Sequence, residues 1–294
     1  TGVTTIRENG PKNKTMFRLR DSIDEGITIG PRMVLCGRPI AIIGGHMGYF
    51  GSEATGPTQA RATTRQLIKE GADYIKITAT GGSTTTSLPL RPSFEVDELT
   101  AITDEARKFG KLTATHCVST QGIINSLDAN VDMIIHCIFK TAEGSDKFRE
   151  DVAYRIGSQD ASINPTLHVS RSSVWALQET RELEGHSPKL NRMIDDAKRD
   201  FDIRIEHCRR MIEMGLNIIT GSDSSWSNYM LGNTVYETEC LVMAGYTPTQ
   251  GLLSLTRDAA RALGVDSTVG TLEPGKKADI IIVDGDPRER IENL

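Results

Sequence analysis

Four ionisable side chains of metal-ligand type each sit near the C-terminal end of a short apolar run, and helical stretches separate the runs. They are Lys76 in Tyr74-Ile-Lys-Ile77, His116 in Leu112-Thr-Ala-Thr-His116, His136 in Met133-Ile-Ile-His136 and Asp223 in Ile218-Ile-Thr-Gly-Ser-Asp223. Few folds tolerate this pattern. A charged or imidazole group in a continuous apolar run loses hydration, so it must be paired or bind a ligand. In a parallel barrel all strand ends open on one face, where four such groups would converge.

Strand-type runs recur at residues 3–7, 33–36 (continuing toward 43), 74–78, 112–116, 131–136, 161–165 and 216–220. Several are apolar throughout, as expected of strands covered on both faces. Helical patterns lie between them at 60–70, 97–109, 121–129 and 188–214, and Gly71, Gly110 and Gly215 stand as stop signals before the next strand. Helices at 235–244 and 247–263 follow; the second opens on Thr247-Pro248, a cap and a first-turn proline. This alternation predicts an α/β fold with a parallel sheet, and the strand ends favour a (β/α)8 barrel of TIM type over an open doubly wound sheet. A barrel needs eight strands and seven can be counted, so the first is expected before Thr1. The opening Thr1-Gly2 reads as a helix end inside a fold. After about residue 266 the chain changes character. Gly270-Thr-Leu-Glu-Pro-Gly275 is a turn, and the run through Ile280, Ile281, Ile282 and Val283 predicts a strand of a small β-sandwich. The expected domains are therefore a barrel over 1–265 and a sandwich remnant over 266–294.

The 294 residues carry a net charge of −5 with both signs interleaved, and no basic stripe suggests nucleic acid. No apolar run approaches a membrane span. Five scattered cysteines (36, 117, 137, 208 and 240) read as reduced core thiols of a cytoplasmic protein.

Two readings of Lys76 are open. It is a buried ammonium paired with a carboxylate such as Asp223, or it has reacted with carbon dioxide to give a carbamate that bridges two metal ions. Neutral imidazoles on successive strands, His116 and His136, suit zinc and similar ions. Asp223 is either a turn residue or a ligand that moves a proton. His46, in Gly44-Gly45-His46, is a candidate contact to a substrate carboxylate or oxyanion. His168, just past a strand end, is a candidate to stabilise an oxyanion. Residues 80–85, Thr-Gly-Gly-Ser-Thr-Thr, read as an active-site loop. Phe50, Trp175 and Trp226 are placed in loops at the open face.

Taken together these motifs resemble the amidohydrolase superfamily, in particular its imidazolonepropionase-like and prolidase-like branch. Gly2-Val-Thr-Thr-Ile-Arg7, Gly44-Gly45-His46, Ala72-Asp-Tyr-Ile-Lys-Ile77, Thr115-His116, Ile135-His136, Gly221-Ser222-Asp223 and Gly270-Thr-Leu-Glu-Pro-Gly-Lys-Lys-Ala-Asp-Ile280 carry the likeness. The resemblance implies a (β/α)8 barrel, two divalent metal ions (often zinc; manganese, iron or cobalt also suit) and hydrolysis of an amide, carbamate, urea or related C–N bond of a small molecule or dipeptide by metal-activated hydroxide. It makes Lys76 the carbamate bridge, His116 and His136 ligands of one ion, and Asp223 a ligand and general base. It implies a homo-oligomer. None of the six histidines forms the His-x-His pair that the branch carries on its first strand. The rival from another class is a truncated, non-catalytic homologue acting as a binding or assembly partner.

Overall fold

The computed structural model describes residues 2–224 and 232–294. Two compact units divide the chain, Gly2–Ile163 and Asn164–Leu294.

The first unit follows the strand–helix alternation. Its strands are β1 (Thr5–Glu8), β2 (Arg32–Leu35), β3 (Ile75–Ile77), β4 (Thr113–His116) and β5 (Met133–Ile135), and β6 (Ser162–Asn164) closes it. The helices α1 (Thr15–Asp24), α2 (Gly56–Lys69), α3 (Val96–Lys108), α4 (Thr120–Asp128) and α5 (Glu150–Ser158) connect them. β1 pairs with β2, and β3, β4, β5 and β6 form a four-stranded sheet in chain order. The registers Lys76↔Ala114 and His116↔Ile135 are parallel. The two sheets are stitched together: the Asp73 N–H donates to Leu35 O at 2.7 Å and the Ile40 N–H to Lys76 O at 2.8 Å. Neighbours in strict chain order are the barrel pattern; a doubly wound sheet reverses order at a switch point. Leu35, Ile40, Ile75, Ile77, Ile134 and, on the covering helices, Leu67, Leu99, Ile102, Ile123 and Leu127 are fully buried. Each such side chain contributes roughly 1.5–3 kcal/mol by leaving water.

Local signals explain the helix starts. The Ser119 hydroxyl accepts the Gly122 N–H ahead of α4, and Glu95 and Glu98 form a reciprocal capping box for α3.

The second unit is helical: α6 (Leu167–Glu184), α7 (Pro188–Glu213), α8 (Val235–Met243), α9 (Pro248–Leu255) and α10 (Arg257–Ala262). Three expectations change here. Residues 216 and 218–220 are buried and Asn217 is exposed, and the segment holds a single bridge, at Ile218, in place of a strand. The helix expected over 247–263 breaks at Thr256, whose φ of −119° and ψ of −88° end α9. The predicted strand over residues 278–283 is not formed; Ile280 and Ile282 are exposed to 66% and 97%. β-branched residues favour a strand only where a neighbouring strand supplies hydrogen bonds and cross-strand packing. None does so among the described residues.

Candidate active site

Lys76 lies at the middle of β3 between the fully buried Ile75 and Ile77, and is itself 3% exposed. Strand alternation turns it to the face opposite its neighbours. His116 is the last residue of β4 and is buried, as is His46 in the loop after the Ile40 bridge. His136 follows β5 directly. Its φ of 68° and that of Cys137, 51°, are left-handed, so the chain turns sharply as the imidazole leaves the strand.

These three rings form a contiguous row. The centroids of His46 and His116 are 4.6 Å apart, and those of His116 and His136 are also 4.6 Å apart, edge to face. Burial, with Lys76 second, lowers the His46 pKa to about 4. Burial also pushes His116 well below the ordinary imidazole value, reinforced by His136, Lys76 and His46. The Gly81 carbonyl pulls the other way but is outweighed, so His116 is neutral near pH 7. Its Nε2 lies 3.0 Å from Gly81 O. A carbonyl only accepts, so Nε2 carries the proton and Nδ1 keeps its lone pair. A fixed N–H to a backbone carbonyl is the arrangement that orients a metal-ligating histidine. The donor chemistry of His116 therefore fits a metal ligand. Among the described residues, no group of three or more His, Cys, Asp and Glu side chains is arranged to hold a metal ion.

The loop after β3 is part of this geometry. Gly81 supplies the carbonyl for His116. Thr84 Oγ1 lies 3.1 Å from His46 Nδ1 and accepts the Met47 N–H at 3.2 Å. A Cβ on Gly82 would lie 2.6 Å from the His46 ring, so the absence of a side chain there lets the loop close on the imidazole. At the end of β1, desolvation raises the half-buried Glu8 carboxyl to about 8. Its neighbours are the Cys36 thiol at 3.8 Å and the Gly10 N–H. Sequence reasoning passed over Glu8, because one acidic residue at a strand end carries no spacing signal.

Asp223, His168 and Trp175 belong to the second unit. Asp223 follows the Gly221 turn with a left-handed φ of 50°. The Asn164 amide donates to Gly221 O at 2.9 Å beneath that turn. His168 lies in the first turn of α6 and is 1% exposed; burial and then Arg171 lower its pKa to about 4. Trp175, expected in a loop, is on α6, and its ring lies 5.1 Å from that of His168. Phe50 ends a 3-10 turn, Gly48–Phe50. Trp226 falls outside the described residues. The five cysteines are buried thiols.

With strand-end imidazoles and a buried lysine established, the sequence comparisons become decisive. A profile of the Amidohydrolase family matches residues 1–294. The chain belongs to the amidohydrolase family. A 5-methylthioadenosine/S-adenosylhomocysteine deaminase of Moorella thermoacetica is 33% identical over 127 residues, 40% of this chain and 28% of that protein. Ochratoxinase of Aspergillus niger is 23% identical over 303 residues, 92% of this chain and 58% of that protein. The crystal structure of a Xaa-Pro dipeptidase with bound methionine in its active site superposes with a TM-score of 0.80 at 27% identity, covering 99% of this chain and 71% of that one. The chain thus spans about a quarter to just under three fifths of the two curated relatives. Members of this family generally use divalent metals.

Proposed function

We propose that this amidohydrolase is metal-dependent and cleaves an amide, carbamate, urea or related C–N bond of a small molecule or dipeptide. The observation that carries the reading is the neutral His116, with its proton committed to Gly81 O and its Nδ1 lone pair available, in a row of imidazoles beside the buried Lys76. Lys76, His116, His136 and Asp223 would hold the metal, two ions with zinc the leading candidate. Bound there, a divalent ion supplies Lewis-acid chemistry, lowering the pKa of water toward about 7 and polarising a carbonyl.

The chain's own residues would do the rest. Reaction of the Lys76 amine with carbon dioxide gives a carbamate and releases protons. That replaces a cation by an anion among the imidazoles and turns a repulsive environment for a metal into an attractive one. Asp223 takes the proton of the attacking water and returns it to the departing nitrogen. His168 holds the oxygen on which charge develops, and His46 contacts the substrate. Residues 266–294 would form the return to a small β-sandwich, beyond a barrel over 1–265. The deaminase relatives mark a neighbouring chemistry on C–N bonds. A deaminase shuttles its proton through a glutamate, whereas Cys117-Val118-Ser119 follow His116 and Cys137-Ile138-Phe139 follow His136.

A panel of N-acyl amino acids, dipeptides, carbamates and ureas, assayed with and without chelator, tests the reading. The expected result is hydrolysis that chelation abolishes, zinc restores and Lys76→Ala lacks. Chelator-insensitive hydrolysis, or no bound metal and no turnover in any class, would overturn it.

A further inference from the structure

His168 is gripped at two points by residues that the functional reading leaves unused. The Nε–H of Arg171 donates to His168 Nδ1 at 2.8 Å. A guanidinium has no acceptor and does not deprotonate, so Nδ1 must be the unprotonated nitrogen. We propose that Arg171 is a positioning residue that locks His168 as the neutral tautomer with its proton on Nε2, making the ring a fixed hydrogen-bond donor. This deepens the assignment of His168 as the group that binds a developing oxyanion, and rests on that reading.

Arg171 is itself immobilised. Its Nη1 pairs with Glu239 at 2.9 Å and its Nη2 donates to Tyr236 O at 2.7 Å. The guanidinium lies over the Trp175 ring at 4.7 Å and the Tyr236 ring at 5.3 Å. The i, i+3 spacing on α6 sets the two side chains on one face, and neither arm of the fork can turn without breaking a part-buried bond. Reversing the tautomer would set two N–H groups against each other in a buried site, which leaves donors unsatisfied.

The backbone of His168 is held as firmly. α6 begins after Thr166, whose φ of 51° is left-handed and whose side chain makes no cap bond. The Glu237 carboxylate supplies the cap from α8, accepting the N–H of Leu167 at 2.8 Å and of His168 at 2.6 Å. Carboxyl oxygens satisfy orphan N–H groups at a helix start, while burial raises this carboxyl to about 7. Arg204 of α7 completes the charged surroundings, donating to Pro165 O at 2.8 Å. Position and proton placement of the imidazole are thus set independently, by Glu237 and Arg171.

Long-range 1H–15N correlation on protein labelled with 15N-histidine reads the tautomer directly, the His168 signals being those lost in His168→Gln. The expected wild-type pattern is a single Nε2–H tautomer from pH 5 to 8. In Arg171→Met the pattern becomes mixed and the titration midpoint rises by about one pH unit or more, because a like charge has been removed. Should that variant not fold, Glu239→Gln, which loosens one arm of the fork, is expected to shift the Nδ1 resonance. A protonated Nδ1 in the wild type overturns the proposal, as does an unchanged tautomer and midpoint in Arg171→Met or an unmoved Nδ1 resonance in Glu239→Gln. No readout requires metal or substrate. Failure to hydrolyse anything would therefore sink the functional reading and leave this result standing.

Discussion

His116 and His168 are both buried, both neutral and both beside a cation, yet they are built with opposite hydrogen-bond polarity. In the first unit, the His116 proton is spent on Gly81 O and a lone pair is left on Nδ1. In the second, the His168 lone pair is occupied by Arg171, which places the proton on Nε2. A lone pair suits a metal cation, and a proton suits an oxygen gaining negative charge. One residue type is thus held in two opposite hydrogen-bond polarities, and the deciding atom in each case is the partner on the far side of the ring.

The largest effect that would sharpen this contrast is expected from Lys76→Ala. If the row of imidazoles is a metal centre bridged through Lys76, metal affinity should fall by more than about 100-fold, beyond the loss typical of outer partners. Elemental analysis after dialysis reads this, and His168→Gln should keep its metal. Gly82→Ala comes next. A Cβ 2.6 Å from the His46 ring must displace the imidazole or the loop, which predicts roughly 1–3 kcal/mol of destabilisation in urea unfolding. A variant as stable as wild type would contradict the close packing of this loop.

Smaller effects follow from pH. His46 and His168 fall from 6.5 to about 4 on folding. Between those values the unfolded chain binds more protons, so their contribution to stability is complete above pH 6.5 and declines as the pH drops toward 4. His46→Gln and His168→Gln should each flatten the acid limb of a melting-temperature profile. Glu8 runs the other way. Its folded value, about 8, exceeds the ordinary 4.5, so the folded protein holds the extra proton and stability declines as pH rises between the two. Glu8→Gln should remove that decline, which thermal melts at pH 5 and pH 8 would detect.

The two regions were unequally legible in the sequence. Strands β3 to β6 were marked by strand-type runs within one or two residues of their ends, and the run for β2 reached past it toward residue 43. α9 was marked by Thr247, whose side chain accepts the N–H group of Gln250. The proximity of His116 and His136 followed from strand-end placement, because parallel neighbours bring their ends together. The His168 surroundings were not legible. α6 opens after a left-handed Thr166 with no cap side chain of its own, and its serine-rich first half masks the helical period. Arg171, Glu237 and Glu239 meet across some 66–70 residues of chain, a distance at which spacing rules carry no information. The isoleucines at 280–282 misled in the opposite sense, since local β preference overstated what an unpaired segment adopts.

The contrast is tested most directly by titrating zinc into protein labelled with 15N-histidine and following both rings. The account predicts that Nδ1 of His116 shifts on metal binding, that the shift is lost in Lys76→Ala, and that the His168 nitrogens do not become ligands. A shift confined to His168, or a His116 Nδ1 that zinc leaves unmoved, would contradict it.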